Sequence, residues 1–232
     1  MSVKFISGSD GNDNLAPDNK VWEHSDVSSY TDEYNIHGGL GADAIAGGAG
    51  ADMLDGGEEG DLRVDGRDYS SGGDLIIDRV LYIDAPSGII ADFESNIVLN
   101  DGFGSTDQVY NFERVYGSYY DDNVQLSNGI YRGYTPLYGN DQITGPSSYD
   151  AINGSYLGYW NLENTSSGRE QTASSDVGSA YIIADLEART VDKFIFGGQF
   201  DSQYQTDGHY TDSFSGYIEG IVGSRGDDFL YG

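Results

Sequence analysis

Cysteine is absent from this chain of 232 residues, and proline occurs only four times. Without thiols the chain can form neither disulfides nor thiolate metal sites, so its stability must have another source. Basic residues are also scarce: 11 lysines and arginines oppose 39 aspartates and glutamates, which leaves a net charge of −28. Carboxylates in such excess repel one another, disfavour a nucleic-acid partner and favour the binding of divalent cations.

Long apolar runs and catalytic motifs are missing as well. No run approaches the roughly 20 apolar residues of a membrane-spanning helix, and the N-terminal MSVKFISGSDGNDN lacks the apolar core of a signal peptide. His24, His37 and His209 are far apart and form no HExxH motif, so they predict no catalytic metal site. Neither a P-loop nor a serine nucleophile elbow occurs, and we therefore expect a protein that is not an enzyme.

The most regular stretch is residues 38–61, which reads GGLGADAIA, GGAGADMLD and then GGEEGD. A nonapeptide, Gly-Gly-x-Gly-x-Asp-x-aliphatic-x, is written twice and begun a third time. Glycine enters positive φ without steric cost, so a Gly-Gly-x-Gly run can turn tightly and direct its carbonyls inward. The aspartate at position six adds a carboxylate, and calcium prefers such a mixture of oxygen ligands. The aliphatic residue at position eight is predicted to enter a narrow core, which only stacked turns can complete.

The two adjacent copies resemble the RTX, or hemolysin-type, calcium-binding repeat. The resemblance implies an all-β fold: a parallel β-roll or β-helix solenoid with calcium-binding glycine-rich turns, longer flanking strands and no substantial helix. It also implies Ca2+ as the cofactor. A flexible Gly/Asp-rich loop is the alternative interpretation, but a loop would not repeat apolar residues at a nine-residue period.

The motif also indicates which residues would bind calcium. The first candidates are Asp43 and Asp52, with the carbonyls of Gly39, Gly41, Gly48 and Gly50. Position six of weaker copies adds Asp13, Asp61, Asp122, Asp141, Asp150 and Asp228. For this second group, an aspartate that caps its own turn is an equally good interpretation. The third copy departs most from the motif, because Glu59 replaces a glycine and Arg63 replaces the aliphatic residue, which weakens Asp61 as a ligand.

The rest of the chain is rich in strand-forming residues and predicts no helix. Residues 89–98 match residues 182–191, and residues 106–122 match residues 211–228 with one insertion. We therefore divide the chain into two predicted β-roll units. The units are residues 1–116, with the perfect repeats at 38–61 and flanking strands at 74–116, and residues 117–232, which end in the first turn of a third unit. Residues 194–210 are longer than their counterpart and are predicted to project as a loop.

These features favour a non-enzymatic calcium-binding structural or interaction module, whose roll folds and rigidifies on binding calcium. We expect it at a cell surface or in a secreted protein. A phage virion protein, such as a capsid decoration or tail component, is the alternative, and a polysaccharide-modifying enzyme or its accessory module is a third. Besides calcium, the expected partners are other protein subunits or a second copy bound head to tail.

Carbohydrate is a further possible partner, because the chain contains 19 tyrosines, several of them in glycine-rich stretches. They include Tyr119, Tyr120, Tyr131, Tyr134, Tyr138, Tyr156 and Tyr159. Exposed tyrosines can stack on sugars, but tyrosine also has a high β-propensity and commonly covers the flanks of strands. We favour the second interpretation.

Overall fold

The computed structural model describes residues 3–18, 30–58, 77–127, 133–146, 156–158, 179–196, 208–218, 220–224 and 227–232. Every regular element within these ranges is a β-strand, which confirms the prediction of an all-β fold. In the same ranges, no helix is long and apolar enough to cross a membrane.

The described strands are numbered in chain order. They are β1 (Lys4–Ser7), β2 (Asn14–Leu15), β3 (Tyr34–Leu40), β4 (Ala44–Ile45), β5 (Met53–Glu58), β6 (Arg79–Leu81), β7 (Ile90–Asp92), β8 (Ile97–Asn100), β9 (Asp107–Tyr110), β10 (Arg114–Tyr116), β11 (Asn123–Gln125), β12 (Gly133–Thr135), β13 (Gln142–Thr144), β14 (Tyr156–Gly158), β15 (Ser179–Asp185), β16 (Thr190–Phe196), β17 (Gly208–Ser215), β18 (Gly220–Val222) and β19 (Phe229–Tyr231).

These strands form two sheets. Among the described residues, the larger sheet has 12 strands in the order β1-β3-β5-β9-β8-β7-β11-β13-β17-β16-β15-β19. The smaller sheet has seven described strands in the order β2-β4-β6-β10-β12-β14-β18, and all of its pairs are parallel. The chain passes from a strand of the larger sheet to a strand of the smaller one and then returns, and we call each such passage a coil.

The core is built from apolar residues that occupy the same position in successive coils. In the larger sheet, Ile36 pairs with Leu54 and Leu54 with Val109, and all three are fully buried. In the smaller sheet, Ile45 pairs with Val80, and both are fully buried. The residues at position eight of the two perfect repeats, Ile45 and Leu54, therefore enter the core as predicted. One coil alone could not bury them, since their neighbours come from the coils on either side.

Two antiparallel inserts interrupt the parallel pairing of the larger sheet. Strand β8 pairs antiparallel with both β7 and β9, and β16 does the same with β15 and β17. The following strands then pair parallel in equivalent registers, with Val124 of β11 opposite Ala91 and Leu230 of β19 opposite Ala184. The inserts correspond to the recurring sequence segments 89–98 and 182–191.

Both sheets continue through the predicted boundary at residues 116 and 117. Strand β11 pairs with β7 in the larger sheet, and β12 pairs with β10 in the smaller one. The two sequence units thus share their sheets. In the predicted loop 194–210, β16 extends through Phe196 and β17 begins at Gly208, and residues 197–207 lie outside the described residues.

The stacked core predicts that substitutions at neighbouring positions differ in their effect on the free energy of unfolding. Leu54→Ala removes a fully buried side chain and should lower the free energy of unfolding by about 2–5 kcal/mol. Met53→Ala, one residue away on the outer face and 40% exposed, should change it by about 0.5 kcal/mol or less. Urea denaturation followed by circular dichroism measures both values, and equal losses would contradict the assigned core.

Candidate metal centre

An acidic residue lies two positions before an apolar residue in almost every described coil. The pairs are Asp13/Leu15, Asp43/Ile45, Asp52/Leu54, Asp78/Val80, Asp107/Val109, Glu113/Val115, Asp122/Val124, Asp141/Ile143, Asp212/Phe214 and Asp228/Leu230. All of these apolar residues except Leu230 are buried. In extended backbone, residues i and i+2 point to the same side, so burying the apolar residue also turns the carboxylate inward.

Hydrogen bonds join these carboxylates into columns along the stack. Next to the smaller sheet, the Asp13 amide donates to Asp43 Oδ1 at 2.8 Å, and the Asp43 amide donates to Asp78 Oδ1 at 2.7 Å. The Asp78 amide in turn donates to Glu113 Oε2 at 2.8 Å. Each acidic side chain therefore binds the backbone of the preceding coil, which sets the register between coils.

The larger sheet repeats this arrangement. The Asp52 amide donates to Asp107 Oδ1 at 2.9 Å, and the Asp141 amide donates to Asp212 Oδ1 at 2.9 Å. Between these two pairs, the Asp122 amide donates to Asp141 Oδ1, also at 2.9 Å. One oxygen of each acceptor carboxylate is thus occupied by the backbone, and the coils differ in what contacts the other oxygen.

In one class of turn the chain supplies the second contact from its own hydroxyl and amide groups. The Ser9 amide and hydroxyl donate to Asp13 Oδ2 at 2.6 and 2.8 Å. The Ser118 amide donates to Asp122 Oδ2 at 2.9 Å, and the Ser118 hydroxyl donates to Asp122 Oδ1 at 2.7 Å. At Asp228 the Ser224 hydroxyl donates at 2.8 Å to Oδ1, the same oxygen that accepts the Ile182 amide. We call these turns, which carry a Gly-Ser pair, the closed corners.

The double-glycine turns lack these serine contacts. Position two holds Gly39, Gly48 or Gly57, with φ of 112°, 103° and 107°, a conformation that serine would adopt only with strain. Within the described residues, no hydrogen-bond donor reaches the Oδ2 atoms of the corresponding aspartates, Asp43, Asp52 and Asp78. These three side chains are only 0%, 3% and 1% exposed. We call the turns of Asp43, Asp52 and Asp78 the open corners.

The first glycine of each open corner is required by packing. A Cβ on Gly38 would collide with Asp43 Oδ2, and a Cβ on Gly47 would collide with Asp52 Oδ2. A Cβ on Gly38 would also collide with the carbonyl oxygen of Gly56 in the next coil. Backbone carbonyls and carboxylate oxygens therefore crowd together only where side chains are absent.

Burial raises the pKa values of the aspartates in the open corners. Loss of solvation raises the pKa of Asp78 to about 8 and that of Asp52 to about 6, from an ordinary value of 3.8. Burial also raises the pKa of Asp43. A raised pKa means that the charged carboxylate is poorly solvated, so a proton or a cation stabilises it.

The third open corner contains an aspartate that the motif does not indicate. The motif points to Asp61, which lies outside the described residues. In the structure, Asp78 accepts the Asp43 amide, and the next residue, Arg79, pairs with Ala44. Residues 59–76 thus separate the third glycine turn from the aspartate that occupies its position six. Asp150, a second-rank candidate, also lies outside the described residues.

The remaining glycine candidates occupy the predicted turns. Gly41 has a φ of 114°, and a Cβ there would meet the Gly11 carbonyl at 2.9 Å. A Cβ on Gly50 would collide with the Asp32 carbonyl oxygen and lie 3.1 Å from Asp52 Oδ1. Gly39, Gly41 and Gly48 therefore need their positive φ, whereas Gly50 is required by close packing.

The glycine-based motif does not indicate a second group of buried carboxylates. Asp101 is fully buried and its Oδ1 accepts the amides of Phe103, Gly104 and Ser105 at 2.9, 2.9 and 2.8 Å. No donor among the described residues reaches its Oδ2. The charge of Asp101 contributes to the raised pKa of Asp52, although loss of solvation is the larger cause.

Asp107 follows a turn that contains two separate glycines at positive φ, Gly102 and Gly104, but no double glycine. Its Oδ2 accepts the Tyr82 hydroxyl at 3.1 Å, and burial raises its pKa to about 8. The signal that identifies Asp78, Asp107 and Asp212 is the acidic-x-apolar tripeptide, which the glycine-based motif ignores.

A buried lysine compensates Asp141, another predicted ligand. Lys193 Nζ lies 3.0 Å from Asp141 Oδ2 and 2.7 Å from Asp212 Oδ1, and all three side chains are fully inaccessible. The negative charges of Asp141 and Asp212 raise the pKa of Lys193, although its burial alone would lower it. Lys193 therefore stays charged and acts as the cation of this corner.

The tyrosines considered as a sugar-stacking surface are largely internal where the structure describes them. Tyr119, Tyr134 and Tyr138 are 7%, 0% and 3% exposed, and Tyr120 is 37% exposed. The Tyr134 hydroxyl donates to Asp122 Oδ2 at 2.5 Å. Tyr134 thus helps to close a corner.

No protein-family model matches this chain, and no curated protein matches it. Among the described residues, no three histidine, aspartate or glutamate side chains are grouped as a metal-binding set. A cation in an open corner would combine one or two carboxylates with backbone carbonyls.

The raised pKa values predict an unusual pH dependence in the absence of metal. Between the ordinary value of 3.8 and the raised value of about 8, folded Asp78 binds more protons than the unfolded chain does. In the presence of EDTA, the free energy of unfolding should therefore fall as pH rises from about 5 to about 9, by at most about 1.4 kcal/mol per pH unit for each such group. Urea denaturation at several pH values measures this slope.

Asp78→Asn provides the control for that slope. Asparagine keeps an acceptor oxygen for the Asp43 amide but cannot ionise, so the dependence on pH should become flatter. Stability that rises from pH 5 to 9 in the native chain would contradict the assignment of buried, poorly solvated carboxylates.

Proposed function

We propose that this chain is a calcium-stabilised β-roll that serves as a rigid structural or interaction module and not as an enzyme. The observation that carries the proposal is the set of buried Oδ2 atoms of Asp43, Asp52 and Asp78, which no donor in the described ranges contacts. The regular passage of the chain between two largely parallel sheets supports the roll architecture.

The open corners fit a hard, oxygen-binding cation. Their available groups are carboxylate oxygens and backbone carbonyls, which suit calcium and do not suit metals that prefer nitrogen or sulfur. Asp43, Asp52 and Asp78 would hold the ion together with carbonyls of the glycine turns. Bound calcium would supply positive charge to carboxylates that burial has deprived of solvent.

The chain prepares these corners in two ways. Backbone amides of the preceding coil fix the Oδ1 atoms of Asp43 and Asp52, which leaves each Oδ2 directed at the first glycine of its turn. Glycine at positions one and two then keeps side chains out of the corner. Carboxylates held in this way need little reordering when a cation binds.

The calcium affinity expected for such sites indicates where the protein acts. Weak oxygen sites bind at about 10⁻⁴–10⁻³ M, which matches extracellular modules rather than cytosolic ones. A chain with a net charge of −28 should be loosely folded where calcium is scarce and rigid where it is plentiful. We therefore propose that it acts outside the cell, on a surface or in a secreted assembly.

Calcium titration of single variants tests the proposal. At a calcium concentration about 100-fold above Kd, each site adds about 2.7 kcal/mol of stability, which raises Tm by roughly 5–10 °C. Asp43→Asn and Asp52→Asn should each reduce the number of ions bound in isothermal titration calorimetry and weaken this rise in Tm. Asp13→Asn, the matched change in a closed corner, should leave the number of ions unchanged.

Two outcomes would reject the proposal. One is a native chain whose Tm and circular dichroism are the same in EDTA and in 10 mM calcium, a concentration about 100-fold above a Kd of 10⁻⁴ M. The other is loss of calcium binding in Asp13→Asn but not in Asp43→Asn or Asp52→Asn.

A second copy of the chain is the partner that the sheet edges favour. Strands β1 and β19 are the edges of the larger sheet as described, and neither pairs with a second strand of the described residues on its outer side. Phe5 of β1 is 76% exposed, and Phe229 and Leu230 of β19 are 51% and 57% exposed. Pairing of β19 of one copy with β1 of the next would cover these residues and continue the stack.

Light scattering over a dilution series in calcium tests this association. We expect a mass that increases with concentration and a decrease in Leu230→Lys, because a charge on the edge opposes strand pairing. A native chain that stays monomeric throughout would exclude a head-to-tail contact.

A further inference from the structure

The two antiparallel inserts place two carboxylate pairs in equivalent positions. Asp52 immediately precedes β5, and Asp107 is the first residue of the neighbouring strand β9. In the same way, Asp141 immediately precedes β13, and Asp212 lies in the neighbouring strand β17. In both pairs, the amide of the first aspartate donates to Oδ1 of the second at 2.9 Å. The third strand also matches, because Val98 pairs with Asp107 in the first insert just as Val191 pairs with Asp212 in the second.

The two pairs differ in whether a cationic side chain contacts them. In the second insert, the Lys193 ammonium contacts Asp141 Oδ2 at 3.0 Å and Asp212 Oδ1 at 2.7 Å, in a site with no solvent exposure. Lys193 lies two residues after Val191. The residue two positions after Val98 is Asn100, which carries no charge and whose Oδ1 accepts the Gly102 amide at 3.0 Å.

The first insert instead has an additional carboxylate. Asp101 is fully buried beside this pair, and its charge contributes to the raised pKa values of both Asp52 and Asp107. Within the described residues, neither Asp52 Oδ2 nor Asp101 Oδ2 has a hydrogen-bond partner. The pair in the first insert thus has a further carboxylate, Asp101, and no ammonium, whereas the pair in the second insert has Lys193 between its members as well as the neighbouring Asp122.

We propose that Lys193 is a built-in cation, which takes the place that an exchangeable cation occupies at the equivalent Asp52–Asp107 pair. The coils around β13, β16 and β17 are therefore held together without metal, whereas the coils around β5 and β9 depend on calcium. Asp101 increases the negative charge of the exchangeable site. This inference rests on the proposed function for the identity of the exchangeable cation.

Removal of the lysine charge tests the role of Lys193. Lys193→Met keeps most of the side-chain volume and leaves two buried carboxylates without their cation, so Tm in EDTA should fall by roughly 10 °C. Lys4→Met is the matched control, because Lys4 pairs with Asp32 at the surface with half of its side chain exposed. Its Tm should change by about 2 °C or less.

A smaller side chain at position 193 tests whether a calcium ion can replace the lysine ammonium. Lys193→Ala opens the site between Asp141 and Asp212 and should bind one calcium ion more than the native chain in isothermal titration calorimetry. Its loss of Tm relative to the native chain should also be smaller in calcium than in EDTA. If Lys193→Ala does not fold, the triple variant Lys193→Met, Asp141→Asn, Asp212→Asn should fold in EDTA, because it removes the opposing charges together.

The outcomes separate this inference from the proposed function. A Tm for Lys193→Met equal to that of Lys4→Met in EDTA would overturn it, as would an unchanged ion count in a folded Lys193→Ala. Failure of the triple variant to fold would also overturn it, because the lysine would then act through packing. A native chain that binds no calcium rejects the proposed function, but one ion gained by Lys193→Ala would still support the inference.

Hydrogen exchange provides a direct readout in the native chain. In EDTA, the amides of β13, β16 and β17 should remain protected while those of β3 and β5 exchange rapidly, and calcium should restore the protection of β3 and β5. Asn100→Lys, the reciprocal change, should increase protection of β5 and β9 in EDTA. Equal exchange of both regions in EDTA would overturn the inference.

Discussion

A carboxylate that binds the backbone of the neighbouring coil is the interaction on which this structure depends. It sets the register between coils, as the contacts from Asp13 to Asp43 and from Asp43 to Asp78 illustrate. The same geometry places each acidic group on the inner side of its turn, because a buried apolar residue follows two positions later. The fold therefore concentrates negative charge in its interior, and each charge requires a compensating group.

The chain compensates these charges differently along its length. Gly-Ser corners use the serine amide and hydroxyl, as Ser118 does at Asp122, and Lys193 supplies a positive charge to two aspartates. Double-glycine corners cannot use the first solution, since their second residue adopts a positive φ that serine would strain to reach. The sequence difference between Gly-Gly and Gly-Ser thus becomes a difference in the chemistry of the corner.

Prediction succeeded where the nonapeptide is complete. Ile45 and Leu54 could be placed in the core because a nine-residue period leaves them few alternatives. The strand-forming runs predicted strands without helix, which holds throughout the part of the chain that the structure describes. The motif does not indicate Asp78, because 18 residues of sequence, 59–76, lie between it and its glycine turn and Asp61 fits the local pattern better. The motif does not indicate Asp107, because the turn before it has single glycines and no double glycine. Only the hydrogen bond from the Asp52 amide shows that Asp107 belongs to a column.

The strand-forming core positions and the glycine turns follow from residues close together in the chain, and the excess of negative charge follows from composition. Which carboxylate oxygens are satisfied depends on the tertiary structure. The groups that satisfy them come from distant segments, as Lys193 does for Asp141, 52 residues away. A local pattern can indicate where an acidic side chain points, but its counter-charge depends on which coils and inserts pack against it.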